Sequence, residues 1–273
     1  MNWDNAYNKL ITDIYKHGVW SDGHVRTKYA DESPALYKSL IGYPLVLDNS
    51  TDDAFLLTTK HVAWKNSIKE MYWIYILQNN DVNVLENMKC PVWSAWKQED
   101  GSIGKAYSFQ LRKPTFGYSN QLEYVIETIK KDPNSRRIMI DLWCPEELHE
   151  MALTPCCYNL IFNVQKDKLY MQLNIRSSDT ALGLPFNVFQ FQVLHKLIAH
   201  ECNLKPANLI IMISNVHYYD RHEEDLLKQI KNPLYKSAKL HIDYPDSIWD
   251  FKPEMVTVED YEHGPKISYE IAI

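Results

Sequence analysis

The sequence lacks the features that would assign it to a membrane or to a nucleic acid. No apolar run approaches the roughly 20 residues that a membrane-spanning helix needs. The first residues, MNWDNAYNKLITDIY, are amphipathic and have no continuous apolar stretch of the kind found in a signal peptide. The formal net charge is −6 and the pI is about 5.9, so the chain offers no overall basic surface to phosphate backbones. We therefore expect a cytoplasmic protein with no membrane association and no nucleic acid as its main ligand.

Cysteine and glycine are also used sparingly. The five cysteines are odd in number and contain no C-x-x-C pair, which argues against a disulfide framework and against a zinc site. The eight glycines form neither a G-x-G-x-x-G fingerprint nor a P-loop. We expect no metal, and any phosphate must be held by side chains.

The apolar content is sufficient for a large core. The 273 residues are 45% hydrophobic, and no linker or repeat divides them, so we expect a single domain over residues 1–273. Helical and strand patterns follow one another without a regular βαβ alternation, which predicts an α+β fold with a mixed sheet and flanking helices. The predicted helices cover 2–17, 62–77, 120–131 and the stretch after Asn187; the predicted strands cover 36–47 (interrupted at Gly42 and Pro44), 138–143, the two segments on either side of the QKDK turn at 165–168, and 208–219.

The stretch from 154 to 187 concentrates the reactive side chains. Two strands joined by the QKDK turn run antiparallel, so the start of the first lies beside the end of the second. This pairing places the thiol of Cys156 near Arg176. A neighbouring cation lowers a thiol pKa and favours a thiolate nucleophile. Beyond Arg176 we predict a tight Gly-Pro turn at Gly183 and Pro185.

Glu70 lies in the apolar second half of its predicted helix. A buried carboxylate without a partner is costly and its pKa rises. In one interpretation Glu70 reaches solvent or pairs with a lysine. In the other it has a functional role, and the pattern favours this functional role. Trp93, Trp96 and Tyr107 either wall a pocket for a flat ligand or belong to an ordinary aromatic core.

Two further polar groups stand at strand ends. Arg136 and Arg137 precede a strand and are able to grip a phosphate, although an isolated arginine pair is more often a solvated edge. His217 and Tyr219 project from the same face of a strand and suit a sugar hydroxyl.

The full pattern resembles the thymidylate synthase family over nearly the whole chain. The most specific part is RSSD at 176–179 with LGLPFN at 182–187, accompanied by Pro155-Cys156 upstream and by His217-x-Tyr219 downstream. The segments KQEDGSIG and MALTPC are most similar to the branch found in bacilli and their phages. The resemblance implies the thymidylate synthase fold, with sheets packed back to back in a homodimer.

The resemblance also implies a reaction and a set of roles. Such an enzyme methylates dUMP to dTMP and uses 5,10-methylenetetrahydrofolate as carbon donor and reductant, with Cys156 bonded covalently to C6 of uracil. The implied catalytic residues are Cys156, Glu70, Tyr107, Asn187, Asp179 and Arg176. The implied nucleotide-binding residues are Arg26, Arg136, Arg137, Arg176, Ser177, Asn187, His217 and Tyr219, with Arg136 and Arg137 reaching the phosphate of the other subunit. The implied folate contacts are Trp93, Leu153, Asp179, Gly183, Phe186 and Ile273.

The residue types fit this chemistry independently. Attack at C6 needs a thiolate, and the charge that develops on O4 suits an amide donor and a buried acid. The Asn187 amide is able to accept from N3–H and donate to O4, as uracil requires, whereas an aspartate there would suit cytosine.

Several positions depart from the usual family pattern: Cys157, Ile175, Ser94, Ser108, Cys144 and the pair Ser214-Asn215. These departures lie around the pocket wall and leave an alternative open, in which water replaces hydride and the product is 5-hydroxymethyl-dUMP with release of tetrahydrofolate. The retained Trp93 and Ile273 favour methylation. A nucleotide-binding protein without catalysis is a further alternative, which the intact Cys156, Glu70 and Asn187 disfavour.

Overall fold

The computed structural model describes residues 2–273 and has the predicted α+β architecture. The helices are α1 (Trp3–His17), α2 (Trp64–Met71), α3 (Val82–Asn87), α4 (Ser108–Leu111), α5 (Gln121–Lys131), α6 (Gly183–Glu201) and α7 (Glu223–Gln229). The strands are β1 (Val19–Trp20), β2 (Tyr37–Asp48), β3 (Met139–Asp141), β4 (Cys157–Gln165), β5 (Lys168–Asp179), β6 (Lys205–Tyr219), β7 (Lys239–Ile242) and β8 (Val256–Glu259). Within residues 2–273, no helix combines the length and the apolar character needed to cross a membrane.

A mixed six-stranded sheet forms the centre of the fold, as predicted. Its strand order is β1-β2-β6-β5-β4-β3, and β7 pairs with β8 in a separate two-stranded sheet. The pairing of β5 with β6 is parallel, and the other pairings are antiparallel. Parallel neighbours need a long crossover connection, and α6 provides it.

Helix α6 is buried on nearly all sides, although several of its side chains are polar. Gln192 accepts from the backbone N–H of Phe55 at 2.7 Å, and its amide donates to the carbonyl of Asp53 at 2.7 Å. The ammonium of Lys196 donates to the carbonyls of Asn49 and Thr51 at 3.0 and 2.8 Å. Buried polar groups are tolerated when they are bonded in this way. The helix therefore fixes the loop that follows β2.

One face of the six-stranded sheet carries a row of paired side chains that crosses five strands. The partners along this row are Met139, Ile161, Gln172, Ile210 and Val46. Residues directly paired across a sheet share one face, so all five point the same way. Val46 is 55% exposed and Met139 is 39% exposed, so the two ends of the row are open to solvent.

Two predicted elements differ from the observed ones. Strand β2 is not interrupted at Gly42 and Pro44, since its pairing with β6 continues on both sides. Beyond Ser39, β2 has only β6 as a neighbour, and a proline on an edge strand leaves no ladder bond unmade. The helix predicted for 62–77 is α-helical only to Met71 and continues as a π-helical segment, Tyr72–Ile76.

The N-terminal helix is fastened to the loop before α2 by a buried carboxylate. Asp4 accepts hydrogen bonds of 2.8 Å from both the backbone N–H and the hydroxyl of Thr58. Burial is the main influence on Asp4 and raises the pKa of its carboxyl. The same loop carries Lys60, whose ammonium donates to the carbonyl of Ala181, between β5 and α6. Asp4 therefore holds a loop that contacts the C-terminal end of β5.

We predict that Asp4→Ala lowers the free energy of unfolding by about 2–4 kcal/mol, because it leaves two buried donors of Thr58 without an acceptor. Urea denaturation followed by circular dichroism measures this. The control is Asp246→Ala at an exposed position, for which we expect a change within about 0.5 kcal/mol. Equal effects of the two substitutions would contradict the interpretation.

Candidate active site

The predicted meeting of Cys156 with Arg176 is present. Cys156 immediately precedes β4, and the N–H of Arg176 donates to the Cys156 carbonyl at 3.0 Å. The guanidinium Nη2 of Arg176 lies 3.7 Å from the Cys156 sulfur. The same guanidinium donates to the carbonyls of Pro155 and Thr154 at 3.0 and 2.9 Å. The segment that carries the thiol is thus held by the arginine that it faces.

Tyr107 contacts the thiol-bearing residue from another direction. The backbone N–H of Cys156 donates to the Tyr107 hydroxyl at 3.0 Å. Burial raises the pKa of Tyr107 well above its ordinary value, so the phenol is neutral and keeps its proton. Its φ of 42° is unusual for an aromatic residue, and such strain persists where the surroundings impose it. Tyr107 is therefore placed with its hydroxyl beside Cys156.

The expected lowering of the Cys156 pKa is wrong for the chain alone. Burial raises the pKa of the Cys156 thiol, and the positive charges of Arg176 and Arg26 oppose that rise without cancelling it. The desolvation of the thiolate raises the pKa by more than the two positive charges lower it. Within the chain, therefore, the two arginines do not bring the pKa of this thiol below its ordinary value.

Glu70 is buried at the end of α2 and is bonded by two neutral donors. The indole N–H of Trp93 donates to one carboxyl oxygen at 2.5 Å, and the Gln190 amide donates to the other at 3.2 Å. Burial raises the pKa of Glu70 to about 7, and the two hydrogen bonds oppose that rise. Among residues 2–273, no lysine forms an ion pair with Glu70, so the alternative of a lysine partner is wrong. Trp93 also packs edge-on against Tyr107.

A small cavity of about 30 Å³ joins Glu70 to the other polar groups. Its wall includes Glu70, Tyr107, Cys157, Asn187 and Gln190. A cavity of this size has room for water, and it has several polar partners for one. Water there is able to carry a proton between the Glu70 carboxyl and the Asn187 side.

The segment from Asp179 into α6 differs from the predicted turn. Gly183 and Pro185 do not form a tight turn but open α6 itself. A proline in the first helical turn sacrifices only an N–H that has no intrahelical acceptor, which explains the misreading. Asn187 consequently projects from the second turn of a rigid, buried helix. Asp179 ends β5 and accepts from the N–H of Ala181 at 2.8 Å.

His217 and Tyr219 lie together at the end of β6, as predicted. Their ring centroids are 5.2 Å apart. Burial lowers the pKa of His217, so its imidazole is neutral. Its Nδ1 lies 2.9 Å from the amide oxygen of Asn215, which only accepts, and Nε2 is therefore left as an acceptor. Asn215 is one of the positions that depart from the usual family pattern, and it also pairs with Ser177 across the strands.

The arginines divide into two groups. Arg176 and Arg26 both act on the Cys156 thiol. Arg136 and Arg137 are exposed on the connection between α5 and β3 and do not act on that thiol within the chain. The chain by itself assembles only part of the predicted phosphate site.

The residues expected to contact folate differ in their exposure, and Trp93 among them is buried. Leu153 is half-buried in the loop before Cys156, and Phe186 is half-buried in the first turn of α6. Open space lies where a side chain of Gly183 would be. Ile273 is half-exposed, and its backbone N–H and carbonyl exchange bonds of 2.9 Å with Lys28.

Sequence reasoning missed Gln190, which bonds Glu70 from one turn beyond Asn187. The available signal was a glutamine in a helix whose predicted core-facing residues surround it. Such a residue must find a buried partner.

The chain matches the family model described as thymidylate synthase over residues 5–273. It is 50% identical over 271 residues to a thymidylate synthase of Fusobacterium nucleatum, covering 99% of this chain and 98% of that protein. It is 40% identical over 279 residues to a thymidylate synthase of Bacillus mojavensis, covering 99% of each. The solved structure of thermostable thymidylate synthase A from Bacillus subtilis matches with a TM-score of 0.94 and 39% identity over 100% of each chain.

We predict that Glu70 makes the stability of the protein depend on pH between its ordinary pKa of 4.5 and about 7. The folded state favours the neutral acid, so stability falls as pH rises through this window, by roughly 3 kcal/mol in total. The measurement is the difference in unfolding free energy between wild type and Glu70→Gln at a series of pH values. A difference that stays constant from pH 4 to pH 8 would show that folding does not shift the pKa of Glu70.

Proposed function

The chain belongs to the thymidylate synthase family and is a one-carbon methyltransferase acting on dUMP; on this basis we propose that residues 1–273 form one catalytic unit that makes dTMP through Cys156. The observation that carries the assignment of roles is the contact of Cys156 with Arg176 and Tyr107 beside the cavity that joins Glu70 to Asn187.

Arg26, Arg176 and Ser177 bind the 5′-phosphate of dUMP. Arg136 and Arg137 of the partner subunit complete this site, since both are exposed in the chain and free to reach a neighbour. Their positive charge also lowers the raised pKa of the Cys156 thiol, because nearby cations favour the thiolate. Nucleotide binding and thiol activation then depend on the same set of arginines.

The sugar and the base are read by groups from two different elements. His217 accepts from the ribose 3′-hydroxyl through Nε2, and Tyr219 holds the same hydroxyl. Asn187 accepts from N3–H of uracil and donates to O4.

The Cys156 thiolate adds to C6, forming a carbon–sulfur bond, and the displaced electron pair moves toward O4. Asn187 and a cavity water stabilise this charge, and Glu70 gives or takes the proton through that water, with a pKa of about 7 that suits both directions.

The residues around Asp179 fit a folate co-substrate. The open space at Gly183 admits a flat ring against the backbone, and the half-buried Phe186 and Leu153 offer apolar walls. Asp179 offers an acceptor for pterin N–H groups, Trp93 stands beside Glu70, and Ile273 closes the rim. Bound there, 5,10-methylenetetrahydrofolate supplies both the carbon and the hydride. Elimination of the Cys156 thiolate then restores the free enzyme.

Methylation is favoured over hydroxymethylation, because the relatives named above are thymidylate synthases. The departures at Cys157 and Asn215 are accommodated without loss of a role. Cys157 is a buried wall of the cavity, and Asn215 orients His217 as a hydrogen-bond acceptor.

The uncovered face of the sheet supports a homodimer. The row from Met139 to Val46 crosses five strands and is mainly apolar. A sheet face of this kind packs on a second sheet, and back-to-back packing of two copies buries it with two-fold symmetry. Arg136 and Arg137 immediately precede β3, which carries one end of the row.

We predict that Cys156→Ser lowers kcat on the order of a thousandfold or more, because a hydroxyl at this position does not form the C6 adduct. The assay mixes protein, dUMP and 5,10-methylenetetrahydrofolate, follows dihydrofolate absorbance and weighs the nucleotide product. Binding of dUMP, measured by calorimetry, should persist. Cys202→Ser, the same atom change at the end of α6, is the control. Formation of 5-hydroxymethyl-dUMP by wild type would overturn the assignment of the last step.

We also predict that two variants, each inactive alone, regain activity when they form mixed dimers. Cys156→Ser and the double variant Arg136→Ala/Arg137→Ala are unfolded together and refolded as a mixture. Random pairing gives one intact site in each mixed dimer, so activity should return to about one quarter of wild type. Each variant refolded alone is the control. Failure of the mixture to exceed the two controls would place these arginines outside the partner's site.

A further inference from the structure

Arg221, just beyond the end of β6, contacts two other segments of the chain, residues 29–33 and Glu270. Its Nη1 donates to the Glu270 carboxylate at 2.8 Å, and its Nη2 donates to the Asp31 carboxylate at 2.8 Å. Nη2 also donates to the Ser33 hydroxyl at 2.8 Å. The guanidinium carbon lies over the Tyr29 ring, 4.0 Å from its centroid.

The same junction has a second layer of bonds. The Tyr29 hydroxyl donates to Asp220 at 2.5 Å, and the N–H of Arg221 donates back to that hydroxyl at 3.3 Å. His222 Nε2 lies 2.8 Å from the carbonyl of Glu270. The Glu270 and Asp31 carboxylates both favour the charged guanidinium of Arg221 and raise its pKa.

The three joined segments each lead to a different part of the proposed site. Residues 29–33 follow Arg26 of the phosphate site. Asp220 follows directly on Tyr219 of the ribose site. Glu270 lies three residues before Ile273, whose backbone pairs with Lys28. A shift of any one segment therefore disturbs the same guanidinium.

We propose that Arg221 is a positioning residue that locks the C-terminal segment to the phosphate-binding segment, so that the terminus closes over the folate only when both are in register. This inference rests on the proposed function. Arg221 touches no reacting atom and acts through Glu270 and Asp31. A single guanidinium that bridges two carboxylates is suited to this task, since its planar fork serves both at once and a lysine does not.

The lock is electrostatic and partly exposed, so salt weakens it. The side chain of Arg221 is 37% exposed, that of Asp31 is 57% exposed and that of Glu270 is 38% exposed. Charges at such positions are screened over about 10 Å at 0.1 M salt and about 3 Å at 1 M. A lock made by apolar packing would respond to salt in the opposite direction.

The test compares wild type, Arg221→Gln, Glu270→Gln and the double variant. Carboxypeptidase is added to the unliganded protein, and release of Ile273 is followed by intact mass. We expect about fivefold faster release from each single variant and little further increase in the double variant, because both changes remove one shared interaction. Release from wild type should accelerate with sodium chloride between about 0.05 and 1 M, whereas release from Arg221→Gln should not.

Steady-state kinetics supplies the second readout. We expect the KM for 5,10-methylenetetrahydrofolate to rise about fivefold in both single variants with kcat changed less, because the closed form becomes rarer. Lys205→Gln, which removes an exposed ion pair with Asp167 at the far end of β6, is the matched control for loss of one surface charge pair. Urea midpoints identify any variant that is simply unfolded.

Wild-type release rates in both single variants would overturn the proposal, and so would faster release with an unchanged KM. A wild-type protein that makes no dTMP would instead overturn the proposed function, and the carboxypeptidase comparison would still report on the lock.

Discussion

The parallel pairing of β5 with β6 is the constraint on which the site depends. It sets Ser177 beside Asn215 and Asp179 beside His217, so the residues proposed to bind phosphate, folate and ribose lie at one end of these strands. Parallel neighbours require a crossover, and the crossover here is α6, which brings Asn187 and Gln190 to the same end. Antiparallel pairing of β4 with β5 then adds Cys156. The strand order and the α6 crossover therefore bring Cys156, Asn187, Asp179 and His217 to the same end of the sheet.

The same packing determines the protonation states. Exclusion of water raises the pKa values of Glu70, Tyr107 and Cys156 together. For Glu70 this is useful, because an acid with a pKa of about 7 exchanges protons easily near neutrality. For Cys156 it is a cost that nearby cations must offset. A dry pocket disfavours a charged thiolate, and the arginines proposed to come from the partner subunit are the groups that would offset this.

Sequence patterns alone predicted the α+β class, the mixed sheet and most element bounds. They also predicted that Cys156 meets Arg176. These follow from periodicity and from the rule that hairpin strands run antiparallel. The opening of α6 at Gly183 was misread, because glycine and proline are common to turns and to first helical turns. The direction of the Cys156 pKa shift was also misjudged, since spacing reveals a neighbouring charge but not the amount of water removed. Gln190 and Arg221 were missed, because their partners lie 120 and 49 residues away along the chain.

The adjacent thiols of Cys156 and Cys157 differ in their exposure to oxidants. Consecutive residues across a trans peptide have Cα atoms about 3.8 Å apart, below the roughly 4.4 Å at which disulfides begin to form easily. Strand pairing of Cys157 with Ile175 holds it in the extended form, in which successive side chains point to opposite sides. Cys157 is only 4% exposed. Although Cys157 lines the small cavity, its thiol is therefore poorly placed to trap an oxidised Cys156 as a bridge. Recovery of an oxidised Cys156 must depend on a reductant from solution.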